Sequence, residues 1–275
     1  MNKPHILLLL FTFLVSVMYS QDSSYTGNYV LGETKVGFAL QCFSPCNSKV
    51  LFVNLHENEK TSIQAAELYL LQNGGKLLKL VNKGQRFITF NQKKKTYWFD
   101  PNRIFSPAGI DSTLKLLSYR PAATGAEEVR YFSDQLLITF IDSSSLIIAL
   151  HNNMDSLLSV NSYLEDQNLQ KHFGAVHINP DLDPDDFILT TDSTLFNRIR
   201  EKNLNVVYEN GASVSDDGSL SVYAALHKIP YINVEAQHDH CDEQLAMLQA
   251  LDEIIKEYDK EKTAEEVIAI EPLAF

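Results

Sequence analysis

The sequence predicts a three-layer α/β/α domain with a central mixed, mostly parallel sheet. Strand-like and helix-like segments alternate along the chain, and the predicted strands are short, nearly continuous apolar runs. Such runs are expected where helices cover both faces of a sheet. Polar clusters directly follow several of these strands, at the edge where open α/β sheets bind ligands. The composition, 45% apolar and 21% charged, is ordinary for a globular protein.

The first twenty residues are predicted to be a secretory signal peptide. Lys3 precedes an apolar run at residues 6–17, and a polar segment follows Ser20. The run is too short to span a bilayer, although a retained anchor is the alternative. We therefore expect a single mature domain, residues 21–275, that is secreted or periplasmic and has no later membrane span. The net charge of −12 argues against a nucleic-acid partner, because it repels phosphates.

The predicted elements follow one another in a regular order. Residues 50–55 form a buried strand that ends at His56, and residues 61–71 form a helix that ends at Asn73-Gly74-Gly75. Further strands are predicted at 75–81, 87–90, 136–141, 145–150, 204–208 and 231–234, and helices at 193–202, 219–227 and 242–258. The last dozen residues are expected to form a tail.

The three cysteines predict at most one disulfide. In an exported protein Cys42 and Cys46 can close a small disulfide loop, which leaves Cys241 unpaired; inert thiols are the alternative. A structural zinc site is disfavoured because no second cysteine pair completes four ligands.

A catalytic zinc site is predicted from three residues at strand ends. His56 and Glu59 lie at a strand-to-helix junction, and His151 follows the strand 145–150. A hydrolytic zinc needs three protein ligands and a free position for water. Each residue alone is more often part of a solvated loop, so the prediction rests on the combination.

Two further features complete the predicted site. Glu235 follows the strand 231–234, where a carboxylate can move a proton between water and a leaving amine. Asn102-Arg103 lies among aromatic residues, and the planar guanidinium suits a substrate carboxylate. The alternatives are an ordinary salt bridge for Glu235, and a buried Arg103 paired with Asp100 or another acid.

The ordered motifs resemble those of the zinc carboxypeptidase superfamily, and most of all its succinylglutamate desuccinylase and aspartoacylase branch. They are His56-x-x-Glu59, Asn102-Arg103-Ile-Phe, Leu-His151-Asn152 and Glu235, and the resemblance covers roughly residues 50–245. It implies the fold above, zinc as cofactor, and these roles: His56, Glu59 and His151 as ligands, Glu235 as general base and acid, and Asn102, Arg103 and Asn152 as substrate-binding residues.

Two positions depart from that branch. Ala149 stands where it commonly has Asp, and Lys95 is the nearest cation where an arginine precedes Asn-Arg, so Lys95 is placed among the substrate-binding residues. The branch's C-terminal β-rich domain has no expected counterpart, so its substrate specificity is not carried over.

The predicted function is an exported zinc hydrolase that cleaves an amide or peptide bond in a substrate with a free carboxylate. Candidate substrates are a peptide, a cell-wall peptide or an N-acyl amino acid, and the alternative is a catalytically inactive binding protein of the same fold. A His238-x-His240-Cys241 cluster and the acidic segment 181–186 are weaker metal candidates. Tyr208 or Tyr223 is a candidate phenol for the cleft.

Overall fold

The computed structural model describes residues 23–118, 125–155, 157–166, 169–171, 173–210 and 215–269. The predicted signal peptide lies outside these ranges. Among the residues described, no helix has the length and apolar character needed to cross a bilayer.

A nine-stranded mixed sheet forms the centre of the described part of the chain. Its four middle strands, in the order β4, β3, β7 and β11, are parallel to one another, and β2 and β9 pair antiparallel with the outer two of them, β4 and β11. At the two edges β1 pairs antiparallel with β2, and β8 pairs antiparallel with β10. The sheet strands are β1 (Ser23–Leu31), β2 (Thr34–Phe43), β3 (Val50–Asn54), β4 (Gly75–Val81), β7 (Leu146–Asn153), β8 (Phe173–His177), β9 (Phe187–Thr190), β10 (Val206–Glu209) and β11 (Tyr231–Gln237), and β5 (Ile88–Gln92) pairs with β6 (Lys95–Phe99) in a separate hairpin.

Helices cover both faces of this sheet and produce the predicted three layers. Buried side chains of α1, α5 and α7 pack on one face, and those of α2, α3 and α6 pack on the other. The helices are α1 (Lys60–Asn73), α2 (Pro107–Ser118), α3 (Ala126–Leu136), the short α4 (Ser162–Glu165), α5 (Ser193–Glu201), α6 (Leu220–His227) and α7 (Cys241–Ala269).

Side-chain alternation divides each central strand between two cores. In β7, Ile147 and Ala149 belong to the core under α2, α3 and α6, whereas Ile148 and Leu150 belong to the core under α1 and α7. Successive strand residues point to opposite faces, so His151 continues the first set and Asn152 the second. The same parity puts Glu235 of β11 on the face of Tyr231, which lies in the first core.

The predicted strand at 136–141 is wrong. These residues form the end of α3 and one π-helical turn, Leu137–Ile141. The buried side chains Val129, Phe132, Leu136 and Phe140 recur at helical spacing. A short apolar run rich in β-branched and aromatic residues does not distinguish a strand from a buried helix.

The other predicted elements are present, with shifted ends. The helix α7 runs beyond the predicted 242–258 and includes the start of the predicted tail. Several elements were not predicted: β1, β2, β6, β8, β9, α2, α3 and the short α4.

The predicted disulfide is confirmed. Cys42 and Cys46 are bonded, with their Cα atoms 5.5 Å apart. The disulfide joins the end of β2 to the loop that follows it. Cys241, the first residue of α7, carries a free thiol.

Candidate metal centre

Two neighbouring parallel strands bring the three predicted ligands together. Val53 of β3 is in register with Ala149 of β7, so the chain that leaves β3 passes directly beside His151. His56 lies two residues beyond β3, and Glu59 follows immediately before α1. All three side chains are buried, although each is polar or charged. Buried polar groups need partners, and these three are each other's partners.

The distances between the three side chains fit a zinc ion. His56 Nδ1 lies 3.1 Å from Glu59 Oε1, His151 Nδ1 lies 3.0 Å from Glu59 Oε2, and the two Nδ1 atoms are 3.3 Å apart. Tetrahedral zinc, with bonds of about 2.0–2.1 Å, keeps its ligand atoms about 3.3 Å apart. Two imidazoles and a carboxylate are also a donor set that zinc accepts, with a position left for water.

The electrostatics keep Glu59 in the ionised form that a metal ligand requires. Burial alone would raise the pKa of this carboxyl, but His151 and His56 attract it and donate hydrogen bonds, and together they hold its pKa well below the usual range. The backbone N–H of Asn152 also donates to Glu59 Oε2 at 3.2 Å. Charge-assisted hydrogen bonds of this kind favour the anion.

Asp100 orients the first histidine. His56 Nε2 lies 2.7 Å from Asp100 Oδ1, which leaves Nδ1 turned toward Glu59. Burial opposes the ionisation of Asp100, but the hydrogen bond to His56 lowers its pKa to about 2. Carboxylate–histidine pairs fix the tautomer and the ring orientation of metal ligands. The alternative of an Asp100–Arg103 pair is not what the structure shows.

Arg86 contacts the cluster, and the sequence prediction did not include it. Its guanidinium donates to Glu59 Oε1 and lies 3.6 Å from Asp100 Oδ2. Lys95, the cation that the sequence analysis places near Asn102-Arg103, is exposed at the start of β6. About 13 Å of strand separates it from Phe99, the residue before Asp100. The structure does not bring Lys95 to the cluster. The available signal was that Arg86 is the only arginine between Glu59 and Asn102.

Asn102 and Arg103 flank the cluster on the α6 side. Asn102 Nδ2 lies 3.5 Å from His151 Nε2, and its Oδ1 accepts from the N–H of Leu220 at the start of α6. Arg103 is half-exposed; it donates to the carbonyl of Asn102 at 2.9 Å and lies 3.6 Å from Asp217 Oδ2. Its partner is therefore a surface carboxylate that a substrate carboxylate can replace.

Asn152 faces away from the predicted site. Its Oδ1 accepts from the N–H of Ser62, and its Nδ2 donates to the carbonyl of Ala236 and to Gln244 Oε1. These contacts lie on the α1 and α7 face of the sheet, opposite His151. The side chain is fully engaged there, so only the backbone N–H of Asn152 reaches the metal ligands.

Glu235 lies beside the cluster on the next strand. It is in direct register with His151 on the parallel pair β7 and β11, and it is buried. Asn233 Nδ2 donates to Glu235 Oε1 at 3.0 Å. Burial raises the pKa of Glu235, and attraction to His151 partly opposes this. Ala149, which stands where the resembled branch commonly has Asp, is in register with Asn233.

The two weaker metal candidates converge on each other. His240 Nδ1 lies 3.2 Å from Asp186 Oδ2, and Asp183, Asp186 and His240 offer ligand atoms within 4.8 Å of one another. Asp186 also accepts from the N–H of Gln237, so this pair fixes the end of β11 near the start of α7. His238 is not in this group.

Neither of the two candidate tyrosines is seen in contact with the metal cluster. Tyr208 packs on Phe196, and Tyr223 stacks on His227 with ring centroids 4.0 Å apart. The buried phenols that interact electrostatically with Glu235 are instead Tyr163 and Tyr231.

Comparison with solved structures finds proteins whose backbone follows a path similar to that of this chain. No protein-family model and no curated protein matches the sequence. Among solved structures, a murein-tripeptide amidase from Escherichia coli O157 is 14% identical over 84% of this chain and 91% of its own, with a TM-score of 0.41. A succinylglutamate desuccinylase from Silicibacter sp. is 9% identical over 88% and 69%, with a TM-score of 0.46. A succinylglutamate desuccinylase/aspartoacylase from Rhodobacter sphaeroides is 9% identical over 86% and 67%, with a TM-score of 0.42.

Proposed function

We propose that this chain is an exported zinc-dependent hydrolase that cleaves an amide or peptide bond in a substrate with a free carboxylate. One observation carries the proposal: a buried His56–Glu59–His151 triad has Glu235 in register with one of its members on the adjacent strand. An acid, two imidazoles and an adjacent carboxylate are the groups that metal-assisted hydrolysis requires.

The chemistry divides between the metal and the side chains around it. Zinc, when bound, supplies Lewis-acid polarisation of the scissile carbonyl and activation of water. Glu235 accepts the proton of the attacking water and delivers it to the leaving amine. Burial raises its pKa, which makes the carboxylate a stronger base than an exposed glutamate. Asn233 holds the carboxylate of Glu235 in place for these transfers.

Positive charge is available at two positions. Arg86, beside Glu59 and Asp100, supplies charge where negative charge develops on the carbonyl oxygen. Arg103 binds the free carboxylate of the substrate in exchange for Asp217. A peptide, a cell-wall peptide and an N-acyl amino acid all carry such a carboxylate. An exported enzyme would meet them outside the cytoplasm.

Metal analysis of three proteins tests the assignment of the ligands. We expect about one zinc per chain in the native protein, loss of zinc in His151→Ala, and full zinc in the control His177→Ala, whose imidazole lies near Asn203 in an exposed hydrogen bond. Unchanged zinc content in His151→Ala would exclude the proposed centre.

Activity of a second variant tests the mechanism. Glu235→Gln keeps the shape of the side chain but cannot accept a proton, so we expect zinc to be retained and hydrolysis to be lost. If the native, zinc-loaded protein binds short peptides and hydrolyses none of them, the alternative of an inactive binding protein replaces the enzyme. Ala149 is the observation that favours this alternative.

A further inference from the structure

A carboxylate beside the metal ligands holds the loop that carries Arg86. Glu57 directly follows the proposed ligand His56, and the mechanism above gives it no role. Its Oε2 accepts hydrogen bonds from two backbone N–H groups, that of Asn82 and, at 2.8 Å, that of Gly84. These two bonds cross from the segment after β3 to the segment after β4. They therefore join the segment of the ligands to the loop between β4 and β5.

The loop begins with a tight turn that its flanking strands do not hold. Lys83 and Gly84 have positive φ angles of 55° and 69°, and the N–H of Gln85 donates to the carbonyl of Asn82 at 3.0 Å. A turn with two such central residues normally joins two strands that pair with each other. Here the described strands on either side belong to separate sheets, since β4 pairs with β2 and β3 and β5 pairs with β6. The carboxylate of Glu57 holds the turn instead, because clustered backbone N–H groups in a turn form a concavity that binds anions.

The turn determines where Arg86 can reach. Arg86 follows the turn directly, and its guanidinium donates to Glu59 Oε1 and lies 3.6 Å from Asp100 Oδ2. Glu59 is buried, but the side chain of Arg86 is 42% exposed, so water competes for the guanidinium. An arginine on a free loop would lose backbone and side-chain entropy on binding there. Glu57 reduces this loss by fixing the backbone of the turn in advance.

We propose that Glu57 is a positioning residue, which holds the turn 82–85 so that Arg86 stays beside the scissile carbonyl. The inference rests on the proposed function, because it depends on the charge that Arg86 supplies to the reaction. Both N–H groups donate to one oxygen of Glu57, so the effect depends on the reach of the side chain. An amide oxygen in the same place has two lone pairs and can accept both.

Two conservative variants separate reach from charge. Glu57→Asp keeps the charge but is one methylene shorter, so it should release the turn, whereas Glu57→Gln keeps the length and an acceptor oxygen. Zinc-loaded protein is assayed with an N-acyl dipeptide. Because a small misplacement of a charged group is costly, we expect Glu57→Asp to lower kcat by about 10–100-fold. KM should be unchanged, because Arg103 binds the substrate and is not on this loop. The kcat of Glu57→Gln should stay well above that of Glu57→Asp.

A double variant tests whether Glu57 acts through Arg86. If it does, Glu57→Asp combined with Arg86→Ala should have the kcat of Arg86→Ala alone, since no guanidinium is left to position. Glu201→Gln, which removes an exposed acid at the end of α5, is the matched control and should keep the native kcat and KM.

Four results would overturn the inference and leave the hydrolase intact. They are losses that multiply in the double variant, a native kcat in Glu57→Asp, a kcat in Glu57→Gln as low as in Glu57→Asp, and loss of zinc from Glu57→Asp. The last of these would show that Glu57 supports the ligands rather than Arg86.

A measurement without substrate separates this inference from the proposed function. Hydrogen exchange of the guanidinium N–H groups of Arg86, followed by NMR and assigned by their absence from Arg86→Ala, reports whether the side chain stays bound. If the native protein cleaves no substrate, the proposed function fails and this exchange decides the role of Glu57. Faster exchange in Glu57→Asp than in the native protein and Glu57→Gln supports the holding of Arg86 by Glu57, and equal exchange in all three overturns it.

Discussion

Glu209, the last residue of β10, is buried and has a hydrogen bond with Ser221 of α6. Replacing it by glutamine should stabilise the protein at high pH and leave its stability unchanged at low pH. Glutamine has almost the same shape and can still accept from Ser221, but it never ionises. The change therefore removes the cost of a buried carboxyl that is neutral in the folded chain and ionised in the unfolded chain.

The magnitude follows from the change in pKa. The pKa of Glu209 is 4.5 in its unperturbed state and about 7 in the folded protein. Because the folded pKa is the higher one, no cost arises below pH 4.5, it accumulates as pH rises from 4.5 to 7, and it is complete above 7. A difference of about 2.5 units at about 1.4 kcal/mol each gives on the order of 3 kcal/mol.

Thermal unfolding at a series of pH values measures this difference. For a domain of this size 1 kcal/mol moves Tm by about 2–4 °C, so Glu209→Gln should melt roughly 6–12 °C above the native protein at pH 8. The two should melt together at pH 4.5, and the control Glu201→Gln should follow the native protein throughout. An equal displacement at both pH values would refute the reasoning, since it would show an effect that does not depend on ionisation.

Three other substitutions distinguish orientation, charge and scaffold at the proposed centre. Asp100→Asn keeps all three ligands but loosens His56, so competition with a chelator should show zinc affinity lower by about 10–100-fold; unchanged affinity would contradict the orienting role. Arg86→Ala should retain zinc and lower kcat by about 10²–10³-fold, whereas Lys95→Ala should leave kcat unchanged, and steady-state rates that reverse this order would restore the sequence-based assignment. Asn152→Ala removes three buried hydrogen-bond contacts and should lower the free energy of unfolding in urea by about 2–4 kcal/mol; a loss of activity without a loss of stability would show that its side chain serves the site instead.

Much of the fold, and the proximity of His56, Glu59 and His151, could be predicted from the sequence because both depend on local patterns. The apolar runs at 50–55, 145–150 and 231–234 are buried on both faces, so they predict central parallel strands. His56, Glu59, His151 and Glu235 follow or end those runs, and parallel neighbours bring their ends to one edge.

The contacts that the sequence did not predict are made by residues in loops. Arg86 lies in the loop between β4 and β5, so no spacing in the sequence connects it to the cluster. The sequence suggests Asp100 as a salt-bridge partner of Arg103, because the two residues are oppositely charged and close in the chain. Only the folded arrangement shows that Asp100 reaches His56 instead. Contacts between loops depend on tertiary geometry, which a local pattern does not encode.

Asn152 shows that two neighbouring residues of one motif can serve opposite faces of the sheet, one at the proposed site and the other in the packing of the fold. The motif groups His151 with Asn152 because they are adjacent, yet adjacent strand residues point to opposite faces. On the second face Gln244 of α7 donates to the carbonyls of His151 and Val234 and accepts from Asn152, so one buried amide ties β7 to β11. Those are the strands that carry His151 and Glu235. The register between the proposed ligand and the proposed base is therefore held by uncharged amides on the far side of the sheet, where neither metal binding nor proton transfer perturbs them.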